Sequence, residues 1–227
     1  MEILDLPFYQ FLTAILSIIM IDLVLAGDNA IVIGLACRNL PKKQQFKAIC
    51  LGTAGAVVIR ILATLAIVWL LKIKGLMLGG GILLVYIAYK LLAKPQVDDN
   101  VKCHDSLLSA VGTIIVADAV MGIDNILAIA GASHGSYILV IIGLSISIPI
   151  MVFGSTIIIR LIDRFPIIID IGAAVIAYTA GKMITQEPML QNIFVHLELK
   201  YILIGIIVIG VLVLGRYSKQ SYEAKSY

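Results

Sequence analysis

Charge is what this sequence lacks most. Only 14% of its 227 residues are Asp, Glu, Lys or Arg, against 61% apolar, and the mean hydropathy is +1.06. Soluble domains are less apolar and more charged, so a chain of this composition belongs in a membrane, with little soluble mass left over. Three cysteines and three histidines are too few and too scattered for a zinc-type cluster. There is no glycine-rich phosphate loop and no basic-aromatic patch, so a nucleic-acid partner is excluded. Glu2 and Asp5 precede any Lys or Arg, which is not the start of a cleaved signal peptide. Alternation at period two is also missing, and that argues against a β-barrel.

What is present is a series of apolar runs near 8–36, 46–71, 75–93, 107–131, 136–160, 166–184 and 197–217. Each approaches the 20 or so residues that about 30 Å of hydrocarbon requires, and backbone groups in lipid must be satisfied internally, so each run is expected to be a helix. With the N-terminus outside, the cytoplasmic side carries twelve Lys and Arg and the outer side four, namely Lys72, Lys74, Lys182 and Lys200. Arg60 lies within the second run. The positive-inside rule therefore sets the N-terminus outside and the C-terminus in the cytoplasm. Cys37, Cys50 and Cys103 then fall on or near the cytoplasmic face as free thiols.

Two of the runs carry acids. Residues 21–36 read IDLVLAGDNAIVIGLA and residues 117–132 read ADAVMGIDNILAIAGA. A shift of 96 positions brings Asp22 onto Asp118, Asp28 onto Asp124 and Asn29 onto Asn125, a doubled D-x5-D-N motif. A second match, GGILLVYIAYK (80–90) with GAAVIAYTAGK (172–182), runs at an offset of 92. The middle run of each half matches poorly. The expected fold is therefore all-α, a polytopic membrane protein of seven transmembrane helices arranged as 3+3 inverted repeats plus one. Its parts are a first three-helix repeat (1–94), a cytoplasmic linker (95–106), a second repeat (107–186), and a seventh helix with a cytoplasmic tail (187–227). An odd number of spans per repeat inverts the second copy, and transporters so built bind substrate near the midplane.

A charged aspartate at the bilayer centre costs about 2.5–3.5 kcal/mol on insertion scales, so four need compensation. Arg60 supplies one positive charge at most; a divalent cation supplies two. Carboxylate, amide and backbone oxygens suit hard ions such as Mg²⁺, Ca²⁺ or Mn²⁺. Met20 and Met121 lie close to the motifs and favour Mn²⁺ over Ca²⁺. Asp22 and Asn29, seven residues apart, share a helix face, whereas Asp28 is rotated roughly 120° from Asp22. Breaks at Ala26–Gly27 and Gly122–Ile123 would let all three oxygens and some backbone carbonyls meet one ion. When the site is empty the clustered carboxylates repel one another, and protons can take the ion's place.

Bland readings stand beside these. The aspartates can cap half-helices or pair with Arg60, and the asparagines can be interhelical hydrogen-bond glue. Arg60 is a counter-ion, a gate or a snorkelling side chain. Asp163 and Asp170 suit a solvated surface, Cys103-His104-Asp105 a surface loop, and Gly79–Gly81 close helix packing.

The segments DLVLAGDNAIVIGLA and ADAVMGIDNILAIAGA, on a 3+3+1 plan, resemble the TerC family, in its YjbE/YkoY-like branch. The resemblance implies export of divalent cations, Mn²⁺ foremost, with no permanently bound cofactor and no catalytic residues. Carried over by motif, the metal ligands are Asp22, Asp28, Asn29, Asp118, Asp124 and Asn125. The implied partners are the divalent ion, protons, the lipid bilayer, and secreted metalloenzymes or the secretion machinery. The rival classes are an intramembrane aspartyl protease and a non-catalytic membrane assembly or metalation factor. For the protease, the glycine-x-glycine-aspartate signature is missing, since residues 25–28 read Leu-Ala-Gly-Asp.

Overall fold

The computed structural model describes residues 8–66, 73–93, 106–123, 136–190 and 197–225, with residues 126, 129, 132, 133 and 194. Among them the chain is helical throughout, with no strand. The α-helices are α1 (Phe8–Cys37), α2 (Lys42–Leu65), α3 (Leu76–Ala93), α4 (Leu107–Met121), α5 (Tyr137–Arg164), α6 (Ile167–Gln186) and α7 (Leu197–Lys225). A single 3-10 turn, Pro188–Leu190, follows α6. Five are long and apolar enough to cross a membrane: α2, α3, α5, α6 and the Leu197–Ser221 part of α7. The seven helices fall on the seven apolar runs. Residues 95–105 of the 95–106 linker, with Cys103-His104-Asp105, lie outside the described residues.

Local chemistry explains several boundaries. Ser106 caps α4, its hydroxyl accepting from Ser109 N at 3.1 Å. Gly75 ahead of α3 has φ +81°, a left-handed conformation that side chains resist. Serine and threonine hydroxyls inside the helices donate back one turn. Thr64 bonds Arg60 O at 2.8 Å and Ser155 bonds Met151 O at 2.6 Å, so neither is left unpaired in an apolar setting. The outer flank of α7 exposes Ile202, Ile206, Ile209 and Val213, a surface that suits lipid contact.

The helices of the two halves interleave. The principal contacts are α3 with α6, α1 with α5, and α2 with α4; α1 also meets α4 and α6, α3 meets α4, and α2 meets α5. These pairings persist when α1, α2 and α3 are exchanged for α4, α5 and α6. α7 packs on both α3 and α6. Two glycines of the middle helices carry the correspondence to side chains. A Cβ on Gly52 of α2 would come within 2.7 Å of the Ile114 side chain of α4. One on Gly143 of α5 would come within 2.5 Å of Ile18 of α1. Ile18 and Ile114 are 96 residues apart and both are fully buried. Gly52 and Gly143 are 91 apart, so the middle helices do match, at a register that the sequence alone conceals.

Residue contacts also give helix directions. Gly143 lies by Ile18 and Gly34 by Ile158, so α1 and α5 run the same way. Gly52 lies by Ile114 and Arg60 by Asp118, so α2 and α4 do too. Glu187, just past α6, accepts from Gly75 N at 2.9 Å and Leu78 N at 3.3 Å at the start of α3, so α3 and α6 are antiparallel.

Candidate functional site

Asp118 sits on the last turn of α4 and is 4% exposed. It forms an ion pair with Arg60 of α2, which is 1% exposed. Two opposite charges this deep are held together because separating them would leave an uncompensated charge out of water. Arg60 is therefore a counter-ion here and does not snorkel. A Cβ on Gly122 would lie 2.9 Å from the Asp118 carbonyl oxygen and in van der Waals contact with Arg60 Nε at 3.4 Å, so Gly122 lies against the ion pair.

Gly122 also ends α4. Its φ of −69° and ψ of −16° flatten the turn, its N–H bonds Asp118 O at 2.7 Å, and Ile126 N bonds Gly122 O at 3.0 Å beyond it. The fourth helix is thus distorted where the sequence expected it. The first is not. α1 is continuous from Phe8 to Cys37, and Ala26–Gly27 does not break it. The cause is local: a glycine with no steric partner, as Gly27 is, lowers helix propensity by only about 1 kcal/mol, which flanking apolar residues readily offset.

Asp28 lies on α1, half-buried, and accepts from Thr179 Oγ1 of α6 at 3.4 Å. Asn29 is 3% exposed and its amide nitrogen has no hydrogen-bond partner. A buried, unsatisfied amide costs about 1–3 kcal/mol, the mark of a side chain placed for something other than stability. The side chain of Asp22, within α1, and all of Asp124 and Asn125 lie outside the described residues. Among the described residues no three His, Cys, Asp or Glu side chains converge. Asp118 and Asp28 instead contact different neighbours, Arg60 and Thr179, on either side of the α1–α4 packing.

The methionines divide. Met20 is 54% exposed and turned away from the core, whereas Met121 is buried. A third methionine, Met151 of α5, is buried with Ile18, Val57 and Leu144. Sequence comparison missed it because its signal is a helix register and not a motif. Asp170, expected on a solvated surface, is 23% exposed and pairs with Arg216 Nε of α7 at 2.8 Å. Gly80 and Gly81 pack tightly on α4 and α6, in line with their expected role. Cys37 and Cys50 are free thiols.

The pattern of the integral membrane protein TerC family matches residues 9–223. The uncharacterized membrane protein YjbE of Bacillus subtilis (strain 168) is 44% identical over 182 residues, covering 80% of this chain and 84% of its own. The uncharacterized membrane protein YkoY of the same organism is 25% identical over 189 residues, 74% of this chain and 58% of its own. The inner membrane protein YgdQ of Escherichia coli (strain K12) is 24% identical over 168 residues, 66% of this chain and 70% of its own. No solved structure matches the chain. A match across nearly every helix, both acidic motifs included, settles the affiliation: the chain belongs to the TerC family of integral membrane proteins.

Proposed function

We propose that this transporter-like membrane protein exports divalent metal cations, Mn²⁺ above all, through a midplane site formed by Asp22, Asp28, Asn29, Asp118, Asp124 and Asn125. The observation that carries the reading is a buried carboxylate, Asp118, on a helix that packs against α1, where the half-buried Asp28 and the unsatisfied Asn29 sit side by side. Acids inside a membrane protein are functional by default, because their insertion cost must be compensated. Oxygen-only ligands suit hard divalent ions. The exchange of contacts between the halves supports an inverted-repeat transporter with the substrate between α1 and α4, and the Lys/Arg bias supports an outside N-terminus. Protons are the natural counter-substrate, since they compete with metal for the same carboxylates. Exported Mn²⁺ would then serve secreted metalloenzymes.

The ion pair also weighs against an intramembrane aspartyl protease. A protease dyad shares one proton between two close carboxyls, whereas Asp118 is engaged by a guanidinium. The test is cellular. Deleting the gene should raise intracellular manganese and sensitise cells to it. Asp22→Asn and Asp118→Asn should each fail to restore tolerance while remaining in the membrane. Normal tolerance with both variants would refute the assignment.

A further inference from the structure

The two halves are not chemically equal at the site, and the inequality lies outside the acidic motif. Ile114 seats on Gly52 and Ile18 on Gly143, which fixes the register between halves. Four residues beyond each isoleucine stand Asp118 and Asp22. Eight residues beyond each glycine stand Arg60 and Met151. The position that holds a guanidinium against Asp118 in one half therefore holds a buried thioether in the other. Arg60 has no cationic counterpart.

We propose that Arg60 is a tethered counter-cation that occupies Asp118 when substrate is absent and must leave that carboxylate as a divalent ion binds. The inference rests on the metal-transport reading above and deepens it. A guanidinium and a divalent ion on one buried carboxylate would place three positive charges within a few ångströms, and at low dielectric that repulsion makes the two states exclusive. The arginine thus keeps the empty site neutral enough to persist in the membrane. On its return it displaces the bound ion, so it also aids release. At the corresponding position the other half carries Met151, a side chain with no charge to compete with an ion. Its thioether suits a softer ion than Mg²⁺ or Ca²⁺.

The experiment measures Mn²⁺ binding to the purified full-length chain, by loss of the free-ion paramagnetic resonance signal, together with thermal unfolding. Arg60→Met copies the other half. It should bind Mn²⁺ about tenfold or more tighter than wild type, unfold at a lower temperature without metal, and regain that loss when Mn²⁺ is added. Arg60→Lys keeps a competing cation and should bind near the wild-type level. In the Asp118→Asn background the gain from Arg60→Met should vanish, because the contested carboxylate is gone. Unchanged or weaker binding by folded R60M overturns the proposal, as does a gain that survives in D118N. So does R60M that stays unfolded at saturating Mn²⁺, since the metal should replace the guanidinium. Wild-type protein that binds no Mn²⁺ at all would instead defeat the transport reading on which the inference stands.

Discussion

At the scale of single residues, the buried polar side chains divide into those whose contacts hold the molecule together and those whose contacts do not. Glu187 belongs to the first group. It is 1% exposed, yet both its carboxylate oxygens accept backbone N–H groups at the start of α3. These are donors that the helix itself leaves unpaired, and a carboxylate also complements the positive end of the helix dipole. Glu187→Ala should destabilise the purified protein by about 1–3 kcal/mol, the cost of stranding buried donors, and Glu187→Gln by less. A melting temperature unchanged by the alanine would contradict the cap. Asn29 is of the second kind: its buried, unpartnered amide contributes nothing to the fold that is visible in its contacts. Asp118 was legible in the sequence as an intramembrane acid. Arg60 was legible as a possible partner of the aspartates as a set, but not of Asp118 in particular, because the two lie 58 residues apart and only the packing of α2 on α4 joins them.

At the scale of helices, small residues at crossings set how closely the halves approach. Without a hydrophobic force between helices in lipid, van der Waals fit carries the association. Gly143 lets Ile18 sit on the α5 backbone, and a Cβ there would meet both the Cγ2 and the Cβ of Ile18, atoms that cannot swing aside. Gly143→Ala should cost about 1–3 kcal/mol through overpacking. The second change Ile18→Val shortens the side chain without removing Cγ2, so it should recover little, whereas Ile18→Ala should recover more. Full stability of Gly143→Ala alone would show that α1 and α5 can slide apart. The helices themselves were readable from hydropathy because runs near 20 apolar residues have few alternatives. The kink pattern was only half readable. Gly27 and Gly122 occupy near-equivalent places, but only Gly122 ends a helix; Gly27 has open space around it, whereas Gly122 lies against the Arg60–Asp118 pair.

At the scale of the whole molecule, the chain is a multi-pass membrane protein whose orientation rests on the twelve-to-four distribution of Lys and Arg. Cys37 cannot report it by labelling, because its side chain is fully buried. Lys43 and Met189 are exposed at opposite ends of the bundle. A membrane-impermeant thiol reagent should label Met189→Cys in intact cells and reach Lys43→Cys only after permeabilisation, in a background with the native cysteines replaced. The reverse pattern would invert the topology. The repeat itself was visible at α1/α4 and α3/α6, where motifs survive, and invisible at α2/α5. There a single glycine is shared at a different offset, so nothing but contact geometry reveals the match.

The interleaving of the halves bears on how the chain is made. Helices enter the membrane in order, and the first three emerge before any of their principal partners exist. Until α4 follows, Gly52 has no isoleucine to cover it and the Asp118 end of the Arg60 ion pair is missing. Until α5 follows, the same holds for Ile18. The nascent half is thus a waiting intermediate whose arginine lacks its Asp118 partner, and α4 completes the ion pair. A charge that serves the finished molecule during turnover would serve first as the assembly signal by which the second half finds the first.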